Sequence, residues 1–102
     1  MRRVMVRYKV KPDHVAENEQ LVRNVYDELA RVKPEGFHYG TFKLEDGVTF
    51  VHLAVHDTDH NPLTEVEAFQ RFQADIRSRC DEPPAVATIE EVGSYRFDGV
   101  PA

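Results

Sequence analysis

Residues 36–57, GFHYGTFKLEDGVTFVHLAVHD, hold two strand-like runs joined by Asp46 and Gly47. An Asp-Gly pair is a strong β-hairpin signal, because both residues tolerate the backbone angles of a tight turn. A two-residue loop at this point fixes which residues face each other across the two strands. The predicted cross-strand pairs are Phe42 with Val51, Thr41 with His52, Gly40 with Leu53, and Tyr39 with Ala54.

The predicted pairing sorts the hairpin into two faces, because cross-strand partners point to the same side of a sheet. The more apolar face holds Phe42, Leu44, Val51, Leu53 and Val55. We predict that the helices pack on this face. The second face holds Tyr39, Thr41, Phe50, His52 and Ala54. We predict that the second face points away from the helices.

The rest of the chain supplies two further strands and two helices. Alternation predicts a first strand over Val4–Val10, and helical spacing of apolar residues predicts helices over His14–Val32 and Pro62–Cys80. A last strand is predicted over Thr88–Phe97, with a bulge near Glu90 and Glu91. The order strand, helix, strand, strand, helix, strand predicts an α+β fold of the ferredoxin-like βαββαβ type. We expect one domain, residues 1–102, with a four-stranded antiparallel sheet and both helices on one face.

This architecture leaves one sheet face uncovered. With Met5, Tyr39, Phe50 and Ala54 predicted there, that face is too apolar to stay in water, and such a patch usually marks an interface. We therefore expect a homodimer that forms through the open sheet face.

Composition limits the partners of the chain. Thirteen Lys and Arg against eighteen Asp and Glu give a net charge of -5, so no basic field attracts nucleic acid. The N-terminal MRRVMVRYKV lacks the apolar run of a signal peptide, and no window resembles a membrane span, so a cytoplasmic location is expected. Cys80 is the single cysteine. It is expected to pack as a small hydrophobe on the inner side of the second helix.

The element order, the PEGF segment at 34–37, the Asp46-Gly47 turn and the closing EEVGSYRF at 90–97 resemble the dimeric α/β-barrel superfamily, in particular the antibiotic-biosynthesis-monooxygenase-like proteins. The resemblance implies a dimer in which two sheets face each other and enclose a cavity. It also implies a choice among cofactor-independent oxygenases of phenols or quinols, haem-degrading enzymes, isomerases and proteins without a known reaction.

Two departures narrow this choice. The haem-degrading members use a pocket Trp, and this chain has none. Several relatives place a histidine in the second helix, where LTEVEAFQRFQADIRSRC, residues 63–80, has none.

Acylphosphatases share the element order, but VKPDHV, residues 10–15, does not match their Gly-rich, Arg-containing loop.

Arg7 and His52 are the candidate catalytic residues. We predict that both point into the cavity, where the guanidinium supplies fixed donors and the imidazole accepts a phenolic proton near neutral pH. The candidate ligand-binding residues are Tyr39, Thr41 and Phe50. A phenolate formed in this way can itself reduce dioxygen, so neither a metal nor another cofactor is expected. The alternative is structural: Arg7 forms an ion pair across the dimer, and His52 hydrogen-bonds Thr41.

A second cluster, HDTDH at 56–60, contains metal-ligand residue types. His52 cannot join it, because four residues along a strand span about 13 Å. Asx turns and helix capping before Pro62 explain the segment without a metal, so no metal site is predicted.

The sequence therefore supports two hypotheses of different classes. In the first, the protein binds a small aromatic or quinone-like molecule and acts as a cofactor-independent monooxygenase. In the second, it is a non-catalytic dimeric α/β-barrel protein of the stress-response or ligand-carrier type.

Overall fold

The chain folds into a four-stranded antiparallel sheet with its helices on one side, which confirms the predicted α+β, ferredoxin-like class. The structure is a computed structural model and describes residues 1–57 and 60–97. Its elements are β1 (Arg2–Val10), α1 (Val15–Val32), β2 (Phe37–Lys43), β3 (Thr49–His56), α2 (Glu67–Ala74), α3 (Ile76–Arg79) and β4 (Cys80–Ile89). Short 3-10 turns at Pro12–His14 and Pro62–Glu65 precede α1 and α2. The strand order is β2-β3-β1-β4.

The hairpin has the predicted register. Thr41 pairs with His52 and Tyr39 with Ala54, as do the other predicted partners. The loop is wider than Asp46 and Gly47 alone, since the last bond before it joins Leu44 N to Thr49 O at 2.8 Å. The Asp46 carboxylate accepts hydrogen bonds from the backbone N–H groups of Val48 and Thr49 at 3.0 and 2.9 Å, and from the Thr49 hydroxyl at 2.5 Å. This side chain therefore ties the loop to the first residue of β3.

The two predicted faces contain the right residues, but their assignment to the helices and to the open side was wrong. Phe50 and His52 are buried under the helices, at 2% and 4% exposure, whereas Phe42 on the other face is 49% exposed. The cause is the pairing of β1 with β3, which sets Tyr8 opposite Phe50 and Val6 opposite His52. The aromatic rings fill the space beneath the helices, and the more apolar residues Val51, Leu53 and Val55 lie on the open face.

The predicted second helix is divided into three pieces. The 3-10 turn begins after Asn61, whose side chain accepts a hydrogen bond from Leu63 N at 3.0 Å. The chain then becomes extended at Val66, and α2 begins at Glu67. The Glu28 carboxylate on α1 accepts from the first two backbone N–H groups of α2, at 3.2 and 2.9 Å. This contact caps α2 and lowers the pKa of Glu28.

The last strand begins earlier than predicted. It is Cys80–Ile89, so the segment DEPPA is part of the strand, while residues 90–97 are not a strand and hold no bulge. Two prolines are compatible with β4 because it lies at the edge of the sheet. Its pairing with β1 shifts between Arg7 and Lys9, beside those prolines. Cys80 is buried as expected, but as the first residue of β4 rather than within the helix.

Residues 90–97, here called the tail, lie over one end of the open sheet face. A cavity of about 290 Å³ separates the two, with Leu53, Val55 and Ile89 on the sheet side and Tyr95 and Phe97 on the tail side. The tail is also tied down by an ion pair between Arg3 and Glu91 at 3.5 Å. No helix within residues 1–57 and 60–97 is long and apolar enough to cross a membrane.

The Asp46 contacts predict a pH-dependent contribution to stability. Hydrogen bonds from Thr49 and Val48 lower the pKa of Asp46 from 3.8 to about 2. Because the pKa of Asp46 is lower in the folded chain than in the unfolded chain, its ionised carboxylate stabilises the fold above pH 4. This stabilisation is lost as the pH falls toward 2. Asp46→Asn should therefore be less stable than the wild type at pH 7, with a gap that narrows toward pH 2.5 in urea denaturation. A gap of constant size over this range would contradict the prediction.

Candidate functional site

A hydrogen-bonded cluster centred on His52 lies between the sheet and the helices. On β1, the Tyr8 hydroxyl is 2.7 Å from His52 Nε2. On β2, the Tyr39 hydroxyl is 2.6 Å and the Thr41 hydroxyl 3.0 Å from His52 Nδ1. Both ring nitrogens are therefore engaged, and the predicted residues Tyr39, Thr41 and His52 share one face. The predicted hydrogen bond between His52 and Thr41 is present.

Two residues that the sequence analysis missed extend the cluster. Asn18 on α1 donates from Nδ2 to the Tyr8 hydroxyl at 3.0 Å and accepts on Oδ1 from Arg79 Nε at 3.3 Å. Arg79 also donates to the Phe72 carbonyl at 2.7 Å and lies over the Phe72 ring. Asn18 and Arg79 are 0% and 2% exposed. The signal was present in the sequence, because each lies at helical spacing from apolar residues of its own helix, where a polar residue must find a buried partner.

The contacts of His52 are compatible with a neutral imidazole that carries its proton at Nδ1. Asn18 donates to the Tyr8 oxygen, and in this tautomer the Tyr8 hydroxyl donates to His52 Nε2. A neutral imidazole that accepts at Nε2 carries its proton at Nδ1. His52 Nδ1–H therefore donates toward the Tyr39 and Thr41 oxygens. The role of His52 as a base stays a prediction.

Burial keeps every ionisable ring of the cluster neutral. Desolvation lowers the pKa of His52 from 6.5 to about 4. It also raises the pKa of the Tyr8, Tyr39 and Tyr26 hydroxyls above the ordinary tyrosine value. The permanent charge in the cluster is the Arg79 guanidinium, whose partners, Asn18 and Phe72, are both neutral. The cluster thus carries positive charge with no carboxylate bonded to it among residues 1–57 and 60–97.

A crevice lined by aromatic rings borders this cluster between α1 and β2. Its volume is about 340 Å³. Tyr39 stacks on Tyr26 and on Phe37, with ring centroids 5.4 and 5.6 Å apart. Leu29 and Ala30 complete the apolar lining, and Lys33 lies at the mouth. Tyr39 therefore belongs both to the crevice wall and to the cluster around His52.

The comparison with solved structures identifies the architecture. A candidate antibiotic biosynthesis monooxygenase from Nitrosomonas europaea superposes with a TM-score of 0.74 at 15% identity, over 91% of this chain and 100% of that one. The chain shares the fold of that protein. A mutant of SnoaB, a cofactor-independent oxygenase from Streptomyces nogalater, has a similar structure. It gives a TM-score of 0.66 at 18% identity, over 94% and 97% of the two chains.

A protein of unknown function from Nitrosomonas europaea has the same fold, with a TM-score of 0.72 at 14% identity, over 99% of this chain and 94% of that one. No protein-family model matches the sequence, and neither does any curated protein sequence. The likeness therefore establishes the fold, which agrees with the resemblance drawn from the element order.

Arg7 does not join His52 in this fold. Arg7 pairs with Val51, whereas His52 pairs with Val6, so the two side chains point to opposite faces of the sheet. The prediction that they share a cavity was wrong. His52 lies on the helix side of the sheet with Val6 and Tyr8, whereas Arg7 lies on the open face with Val51. Phe50 lies on the His52 face and stacks on Tyr8 with centroids 5.6 Å apart. The catalytic role predicted for Arg7 stays a prediction.

The HDTDH segment does not form a metal centre in the part of the chain that is described. No group of three His, Cys, Asp or Glu side chains there is arranged to hold an ion. His56 is buried on the helix side of β3 at 3% exposure. Asp59, the fourth residue of the segment, lies outside the described residues.

The low pKa of His52 predicts a second pH effect. The unfolded chain takes up a proton on this ring near pH 6.5, whereas the folded chain does so near pH 4. Stability is therefore complete above pH 6.5 and falls between pH 6.5 and 4. From pH 7.5 to 4.5 the wild type should lose roughly 2 to 3 kcal/mol more unfolding free energy than His52→Gln. Urea denaturation of both proteins at the two pH values measures this, and equal losses would show that His52 is not held neutral.

Proposed function

We propose that the protein binds a small phenolic or quinone-like molecule in the aromatic crevice and oxidises it with dioxygen, without a cofactor. The observation that carries this proposal is the double position of Tyr39. Its ring forms part of the crevice wall, and its hydroxyl is 2.6 Å from His52 Nδ1. A ligand in the crevice is thereby connected to the buried cluster.

The crevice has the size and lining that suit a ring-shaped ligand. Its volume of about 340 Å³ lies at the lower end of small-molecule sites. Tyr26, Phe37 and Tyr39 offer faces for stacking, which favours a planar aromatic guest. Among its polar groups, the Tyr39 hydroxyl is the one that contacts His52. Such an arrangement orients a ligand oxygen toward His52.

The charge of the cluster favours an anionic ligand oxygen. In the tautomer protonated at Nδ1, His52 donates to the Tyr39 oxygen, and the Tyr39 hydroxyl donates in turn to a phenolate in the crevice. The Arg79 charge acts in the same direction. Acidic phenols and hydroxyquinones bind as anions at neutral pH, so His52 does not need to accept their proton. A neutral imidazole that donates to a developing anion is an established catalytic arrangement.

The electron-rich phenolate is the reductant in the proposed reaction, and dioxygen is the oxidant. One oxygen atom forms a bond to a ring carbon and replaces its hydrogen. The second oxygen atom leaves as water with that hydrogen and the phenolic proton. A phenol and dioxygen thus yield a quinone and water. The likeness to SnoaB, described as a cofactor-independent oxygenase, supports this chemistry at the level of fold.

The proposal is tested with dihydroxynaphthalene and hydroxynaphthoquinone. Tyr39→Phe keeps the crevice ring and removes one donor, so hydroxynaphthoquinone binding should weaken by about 1 to 3 kcal/mol in calorimetry. His52→Ala should weaken binding as well and abolish protein-dependent oxygen uptake with dihydroxynaphthalene. Tyr95→Phe, which removes a hydroxyl from a tyrosine 80% exposed in the tail, is the matched control.

Binding without uptake in the wild type would support the ligand carrier in place of the oxygenase. Equal binding and equal oxygen uptake in the wild type, Tyr39→Phe and His52→Ala would contradict the proposed site. Arg7→Ala is measured in parallel, since a loss of uptake in that variant would restore the catalytic role predicted for Arg7.

We also propose that two copies of the chain associate through the open sheet face. Val51, Leu53, Val55 and Phe42 lie there with Met5, and Phe42 is 49% exposed. A stable interface buries about 800 Å² per partner, and a four-stranded sheet face with apolar residues suits that size. The more apolar residues of the hairpin lie on the open face, so this face is more apolar than expected from the sequence.

Light scattering should give twice the chain mass for the wild type at micromolar concentration. Val51→Arg places a charge on the part of the open face away from the tail and should give the mass of a single chain, with an unchanged circular dichroism spectrum. Val32→Arg, at an apolar residue 57% exposed at the end of α1, is the control and should remain a dimer. A monomeric wild type would refute the proposed association.

A further inference from the structure

The seam between α1 and β2 holds two crevices, and Tyr26 separates them. The first is the aromatic crevice of about 340 Å³, which ends against Tyr26 and Tyr39. The second, of about 160 Å³, is lined by Val22, Thr41, Lys43 and Phe50, and it also ends against Tyr26. Tyr26 is common to both linings. Its side chain therefore divides what would otherwise be one slot along the seam.

A hydrogen bond holds Tyr26 in this position. Its hydroxyl is 2.7 Å from Thr41 Oγ1, which is itself 3.0 Å from His52 Nδ1. The Tyr26 ring also stacks on Tyr39, the other partner of His52 Nδ1. Tyr26 thus covers both groups that stand between the seam and His52. The other polar bridge across the seam, Lys43 to Glu19 at 2.9 Å, is exposed and lies at the far end of the smaller crevice.

His52 itself is 4% exposed, so no ligand reaches its ring while Tyr26 is in place. The deeper neighbours of His52 do not offer another entrance. Tyr8 is 1% exposed, and Asn18 behind it is fully buried. The α1–β2 seam is a side on which partly exposed polar residues, Tyr26 and Thr41, stand next to the cluster.

We propose that Tyr26 is the gate of this site and determines the length of the molecule that it accepts. With Tyr26 latched on Thr41, the aromatic crevice takes a single ring in preference to two. When the latch opens and the ring swings away, the two crevices join, and a longer planar molecule extends along the seam past Tyr39 and Thr41. The selection of ligand length rests on the proposed function. The control of access to His52 does not depend on it.

The gate is tested first without any ligand, by the rate at which diethylpyrocarbonate labels His52 in mass spectrometry. Tyr26→Phe keeps the ring and loses one neutral hydrogen bond, so labelling should rise roughly 2- to 10-fold. Tyr26→Ala removes the ring and should raise the rate further. His56, buried on the same side of β3 at 3% exposure, is the internal reference and should keep its rate.

An unchanged His52 rate in Tyr26→Ala, with an intact circular dichroism spectrum, would overturn the gate. A parallel rise at His56 would do so too, since it would show general loosening of the fold. If Tyr26→Ala does not fold, Tyr26→Phe decides the question by the same measurement.

The second arm compares the affinities of dihydroxybenzoquinone, with one ring, and hydroxynaphthoquinone, with two. Tyr26→Ala should shift the preference toward the two-ring probe, whereas Tyr95→Phe should leave it unchanged. A preference that does not shift would overturn the role of Tyr26 in selecting ligand length. If neither probe binds any variant, the proposed function fails, and the labelling rates alone support or overturn the gate.

Discussion

The pairing of β1 with β3 is the constraint on which the rest of the structure depends. It sets Val6 opposite His52 and Tyr8 opposite Phe50. Since side chains alternate along a strand, this one choice of register decides which residues lie beneath the helices and which lie on the open face. A shift by one residue would bring Arg7 to the side of His52 and expose Tyr8. The hydrogen bond from Tyr8 to His52, at 2.7 Å, exists only in the observed register.

The consequence is a core with polar groups at its centre. Burying hydroxyls, an amide, an imidazole and a guanidinium costs free energy unless each finds a partner. Among the described residues, no buried side-chain nitrogen or oxygen lacks one. The guanidinium of Arg79 is the costliest member, because its partners are a neutral amide and a carbonyl.

The two proposed tasks fall on opposite faces of one sheet. The helix side carries the aromatic crevice and the cluster around His52, which suits ligand binding. The open side carries Val51, Leu53 and Val55, which suits contact with a second copy. From the sequence, ligand binding and association were expected in one shared cavity. On opposite faces, the proposed ligand site is complete within a single chain.

The sequence by itself determined the element order, the hairpin register and the membership of each hairpin face, because turn chemistry and alternation are local properties. It also indicated that Tyr39, Thr41 and His52 belong together. Tertiary structure decided which face meets the helices, since that depends on how β1 pairs with β3 and on the volume of Tyr8 and Phe50 under α1 and α2. It likewise set the start of α2, where Glu28 of α1 caps the first turn, and it brought Asn18 and Arg79 to Tyr8 from distant parts of the chain. Contacts between residues 61 positions apart, such as the bond from Arg79 to Asn18, leave no local pattern in the sequence.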